Sequence, residues 1–227
     1  MEISFFDSGP FALFKWEALF SNINWFLEGF KYTFLISAYA LFLALTLGIT
    51  FGVILTSNIK IWKSMIKIYV EFTQNTPLLI QILFLFNCLP LLGIKLNVTF
   101  IGIVGVGFYH GAYITEVIRN GIYSINKKQF DAAYSQGFNY WQTMRYIVLP
   151  QAFKAILPPL TNQITTLIKN TAVISIISGA DVMFVANSWS GENLYYGPAY
   201  VAAGMLYFTL CFPINQILRR LEKSLKY

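Results

Sequence analysis

Five stretches of the chain, 32–59, 72–94, 96–115, 155–168 and 193–218, contain no Asp, Glu, Lys or Arg, and four of them reach the roughly 20 residues a helix needs to cross a bilayer. In lipid every backbone polar group must be satisfied within the segment, so these runs predict helices, at 30–57, 66–92, 98–120, 153–179 and 196–219. The predicted fold class is all-α integral membrane with five transmembrane helices. Composition agrees: 56% of the 227 residues are hydrophobic and 11% charged, against about 25% charged in soluble domains. A soluble enzyme is disfavoured. Five spans consume nearly the whole length, so any soluble partner must be another polypeptide.

Charge placement sets the expected topology. One set of alternate loops holds Lys60, Lys63, Lys67, Arg119, Lys127, Lys128, Arg145, Lys154, Arg219, Arg220, Lys223 and Lys226, which is 12 of the 16 basic residues. The opposite set holds Lys15, Lys31 and Lys95 with six of the ten acids, Glu2, Asp7, Glu17, Glu28, Asp181 and Glu192. The positive-inside rule then places the N-terminus outside and the C-terminus in the cytoplasm. Residues 1–29 become an extracytoplasmic N-terminal segment, 30–222 a transmembrane domain and 223–227 a cytoplasmic tail. Trp25 and Trp189 are expected near the outer interface, Trp62 and Trp141 near the inner one, each ring with one wet edge. The net charge of +6 is read as topology, and no nucleic acid is expected. No basic cluster precedes the first apolar run, so it is not read as a cleaved signal. Cys88 and Cys211 lie in apolar spans as small hydrophobes. Five helices enclose little by themselves, so a pathway is expected between two subunits.

Between the third and fourth spans, hydropathy breaks down over about 124–150, too long for a tight turn. Asn126 can cap a helix starting near Lys127, and Phe130, Ala133, Tyr134 and Gly137 share a face by spacing. The small residues Ala132, Ala133 and Gly137 suit a close seat in a partner's groove. An amphipathic helix on the membrane surface is the alternative.

This segment carries a resemblance. Asp131-Ala132-Ala133, then Gly137, then Ile147-Val148-Leu149-Pro150 match the EAA loop of permease subunits of ATP-binding-cassette importers, with Asp131 in place of the first Glu. Gly111-Ala112-Tyr113-Ile114-Thr115-Glu116, Tyr140-Trp141-Gln142-Thr143-Met144-Arg145, Gln151-Ala152-Phe153 and Asn75-Thr76-Pro77-Leu78-Leu79 resemble the polar amino acid branch, similar to histidine, glutamine and glutamate permeases. The likeness covers roughly 20–222. It implies an importer type I permease fold in a bacterial cytoplasmic (inner) membrane, with a cytoplasmic coupling helix. Asp131, Ala132, Ala133, Gly137, Ile147, Leu149 and Pro150 would couple to an ATP-binding-cassette ATPase dimer. A second permease subunit, identical or homologous, and an extracytoplasmic amino-acid-binding protein would complete the assembly. No G-x-x-x-x-G-K-[ST] loop occurs, so ATP and Mg are expected on the ATPase, and no cofactor on this chain.

Candidate pathway residues follow from polar groups at membrane depth. Pro77 removes an amide donor and clashes with the carbonyl of residue 73, so the second span must kink or break beside Thr76; the interruption either lines the pathway or only shapes packing. Lys169 is the one basic residue inside a span and is expected to face the bundle interior, with Asn170 and Thr171 beside it. In the family this place commonly reads Leu-Lys-Asp-Thr; Asn170 lacks that negative charge, which favours acidic or neutral substrates such as glutamate, aspartate or glutamine over basic ones. His110, the only histidine, is a substrate contact or an imidazole hydrogen-bonded between helices. Glu71 pairs with Lys67 or belongs to an inner gate, and Glu116 with Arg119 forms a structural pair or a gate. One His and two isolated Cys do not make a metal site or a catalytic centre. A passive channel would leave the long loop unexplained, whereas a permease for methionine or a quaternary amine would share it.

Overall fold

The computed structural model describes residues 9–57 and 60–224, so Glu2, Asp7, Lys226 and the ends of both terminal segments lie outside the described residues. A short helix α1, Leu13–Ser21, turns at Asn22 into α2, Ile23–Thr56. At 1.5 Å per residue, the 34 residues of α2 extend about 50 Å, beyond a hydrocarbon layer of roughly 30 Å. It begins well before the expected position 30, because Phe26 and Gly29 already pack inward. Next come α3, Lys60–Gln74, and α4, Leu78–Asn87, prolonged by a 3₁₀ turn over Leu89–Leu92. Helix α5, Val98–Tyr123, leads into the short α6, Lys127–Ser135, and α7, Tyr140–Thr143. A π turn, Met144–Val148, then runs directly into α8, Leu149–Asn170, and a 3₁₀ stretch, Thr171–Ile177. Helices α9, Val182–Asn193, and α10, Tyr196–Ser224, complete the described residues.

Helices α2, α5 and α10 are long and apolar enough to cross a membrane unbroken. The remaining passes are bent pairs: α3 with α4 at 100°, and the α7–α8 stretch with α9 at 45°. Counting each pair as one span gives the five expected. The helix expected over 153–179 is corrected: regular α-helix stops at Asn170, and Ser178 adopts a left-handed φ of 60°. The stretch after Ala180, expected as outer loop, is helical because Asp181 caps it.

The centre of the molecule is the α2–α5 seam. The buried stripe of α2 along it is mostly small (Ser37, Ala40, Ala44, Gly48, Gly52), so the two backbones approach closely. A methyl group at Gly52 would fall 2.6 Å from Cβ of Ile118, and one at Gly48 would overlap Ile114. A second cluster joins Phe26 to Trp189 and Ala199. Trp189 is therefore no interfacial ring: it is 1% exposed, edge-on to Phe26 and Tyr195, and its indole nitrogen has no hydrogen-bond partner among the described residues. Trp62 and Trp141 are exposed.

Candidate functional site

Two places gather the residues singled out from sequence. The first is the loop after α5. The Asn126 side chain accepts from the Lys128 amide at 3.0 Å, which caps α6 as its sequence predicts. Phe130 and the buried Ala133 turn toward the body, while Asp131 and Ala132 are exposed. The helix stops at Gly137, whose φ of 82° lets the Phe138 amide reach back to the Ala133 carbonyl at 3.1 Å. Asn139 and Gln142 then satisfy each other's backbone amides at 2.9 Å, starting α7. The spacing that put Phe130, Ala133, Tyr134 and Gly137 on one face resolves into two sides: Ala133 is inside, Tyr134 is 46% exposed, and Gly137 is exposed. Phe130, Asp131, Tyr134, Tyr140 and Met144 line a cleft of about 410 Å³ against the end of α5. Ile147 is half-buried, and Leu149 and Pro150 are exposed at the start of α8.

The second place lies between α5 and α8. His110 is 1% exposed and clamped from both sides: Nδ1 lies 3.1 Å from Gln163 Oε1, and Nε2 lies 3.0 Å from Asn170 Nδ2. An amide NH₂ only donates, so Nε2 accepts, and Nδ1 carries the proton toward Gln163. Both ring nitrogens are thus engaged between helices, and the Asn170 carbonyl oxygen is the acceptor this trio leaves over. One turn toward the loop, Gln163, Gln74, Tyr113, Glu116 and Asn120 line a polar cleft of about 350 Å³. Tyr109 and Tyr113 hydroxyls meet at 3.2 Å, and Arg119 donates to Glu116 at 2.7 Å on the rim.

Other expected members lie elsewhere. Thr171 is buried, but its hydroxyl donates to the Ile168 carbonyl at 2.7 Å. Lys169, expected inside the bundle, is exposed on the single chain: α8 buries Leu157, Thr161, Ile164 and Ile168, which leaves Asn162 and Lys169, seven residues apart, on the opposite face. Thr76 borders an apolar groove with Phe72, Ile80 and Phe84, and Pro77 is exposed, so the part of the break that reaches the polar cleft is Gln74. Glu71 is exposed and forms no ion pair with Lys67; its backbone carbonyl accepts from Asn75. Among the described residues no three His, Cys, Asp or Glu side chains come together as metal ligands would.

Sequence reasoning missed Gln163 and Asp181. Gln163 precedes Asn170 by seven residues, so helical spacing already put both on one face. Asp181, assigned to an outer loop, is fully buried: its carboxylate accepts from the Met183 and Phe184 amides and from the Tyr207 hydroxyl at 3.1–3.2 Å. The signal was its place directly before an apolar run, the N-cap position.

Comparison with known proteins gives consistent matches. Residues 44–227 match the family described as binding-protein-dependent transport system inner membrane component. The probable glutamine ABC transporter permease protein GlnM of Bacillus subtilis (strain 168) is 37% identical over 210 residues, 91% of this chain and 97% of that one. The arginine transport system permease protein ArtQ of the same organism is 31% identical over 211 residues, 92% and 96% of the two chains. A crystal structure of an amino acid ABC transporter with histidines superposes with a TM-score of 0.86 at 28% identity, covering 92% of this chain and 98% of that one.

Proposed function

This chain belongs to the family of binding-protein-dependent transport system inner membrane components, and we propose that it is the permease subunit of an ATP-driven importer of a polar, neutral or acidic amino acid. The observation that carries the reading is the capped helix α6, presented with Asp131 and Ala132 exposed beside a ready cleft. A partner's groove can take such an element; a passive channel has no use for it. The partner is an ATPase dimer that binds the ATP and Mg, and hydrolysis belongs there. A second permease subunit closes the pathway, and an extracytoplasmic binding protein delivers substrate. In this reading α6 and the C-terminus are cytoplasmic and the N-terminus is outside, which the concentration of basic residues in one set of loops supports. No chemistry is catalysed by this chain.

The substrate pathway in this reading is the polar cleft below His110. A zwitterion leaving water needs donors and acceptors at both ends, since uncompensated charge at this depth costs at least a few kcal/mol. Gln74, Gln163, Tyr113 and Asn120 supply both kinds, and Glu116 is held by Arg119 on the rim. GlnM and ArtQ carry glutamine and arginine in their names, and this set of mostly neutral groups favours the neutral solute. Uptake by the reconstituted assembly tests the reading. Labelled glutamine or glutamate should be taken up in preference to arginine; arginine as best substrate overturns the selectivity. Gly137→Val forces a β-branched residue into φ 82° and should abolish uptake at unchanged membrane insertion. Full transport in that variant overturns the coupling role.

A further inference from the structure

Helices α8 and α10 meet in an apolar seam of Ile164, Ile168 and Leu210, with Ile214 and Leu218 alongside. Past this seam the helices part around a polar cleft of about 540 Å³. Asn162 of α8 faces it across from Gln216, Arg219, Arg220, Glu222 and Lys223 of α10. Among the described residues that line it, three cations stand beside one carboxylate.

Its depth is set by sequence. The charge-free run 193–218 ends immediately before Arg219, and the part of it in α10, from Tyr196, extends about 35 Å, enough to cross the hydrocarbon at a tilt. Arg219, Arg220 and Lys223 therefore emerge at the level of the lipid headgroups. The face of α10 that carries Gln216, Arg219 and Lys223 is apolar up to the same level, with Phe208 58% and Phe212 48% exposed. We propose that this cleft binds the phosphate of an anionic phospholipid. Two guanidiniums and an ammonium match phosphate oxygens, the amides of Asn162 and Gln216 can donate to the headgroup esters, and Phe208 and Phe212, on the same helical face as Gln216, Arg219 and Lys223, offer the acyl chains an apolar surface. Free phosphate shares the headgroup chemistry but gains nothing from that surface. The assignment rests on the chain spanning a bilayer and is independent of what it transports.

The test uses the intact assembly purified through this chain in neutral detergent. It is titrated separately with phosphatidylglycerol and phosphatidylcholine, and retained lipid is counted by native mass spectrometry. Phosphatidylglycerol should be retained in preference, and the preference should fall about fivefold with each of Arg219→Gln, Arg220→Gln and Lys223→Gln. A triple Lys60→Gln, Lys63→Gln, Lys67→Gln variant on α3 should keep it within about twofold. Asn162→Leu keeps every charge at an exposed position and should also weaken retention, which guards against cation variants that fail to fold. Equal retention of the two lipids overturns the proposal, as does equal loss in the α3 variant, which would mean diffuse surface charge. Displacement of phosphatidylglycerol by millimolar inorganic phosphate assigns the cleft to a soluble phosphate and overturns the lipid.

Discussion

The two interrupted spans solve one problem in opposite ways. Between α3 and α4 the chain turns by 100° at an exposed proline, and a single side chain repairs the damage: Gln81 Nε2 donates to the carbonyls of Thr73 and Thr76, both at 3.1 Å. Between the 3₁₀ stretch and α9 the bend is 45°, and it is locked by a buried polar knot. Asp181 holds the Met183 and Phe184 amides and the Tyr207 hydroxyl, while Thr33 accepts from the Val182 amide at 3.0 Å. That knot ties α2, α9 and α10 together away from water, where no solvent replaces a broken bond. The larger bend is thus the more compliant, and the smaller one is the rigid joint. If ATPase closure rocks this subunit, α3 and α4 can flex while the α2–α9–α10 corner moves as a body.

This contrast can be broken by substitution. Asp181→Ala strips a cap and orphans several buried groups, so it should cost about 2–4 kcal/mol in thermal or denaturant unfolding, with Asp181→Asn retaining most of the stability. A loss under about 1 kcal/mol would remove the distinction between the joints. Gln81→Leu leaves two carbonyls at the other break without their donor and should cost less, about 1–2 kcal/mol, with slower uptake. A cost equal to that of Asp181→Ala would make the first joint as rigid as the second. Pro77→Ala should change stability by no more than about 1 kcal/mol and keep the bend, because Gln81 already engages the carbonyl that a new amide would seek. Spin labels at positions 65 and 91, both exposed, would report a lengthening if the proline alone held the angle.

Sequence by itself determined the membrane class, the five passes, the break at Pro77 and the cap at Asn126, because each follows from local rules: charge-free length, a missing amide, a short acceptor before a helix. It also carried the family, through the loop around Asp131 and Gly137. Tertiary structure alone decided which polar groups meet. Trp189 and Asp181 looked like interface and loop residues because hydropathy reports the mean environment of a segment and is blind to the neighbouring helix that buries a single side chain. The clamp on His110 needed α8 to place Gln163 and Asn170 at opposite ring nitrogens, a register that no count along the chain supplies. Lys169 shows the converse: its polarity was legible, but its direction depended on which face of α8 the small and apolar residues of its neighbours had already claimed.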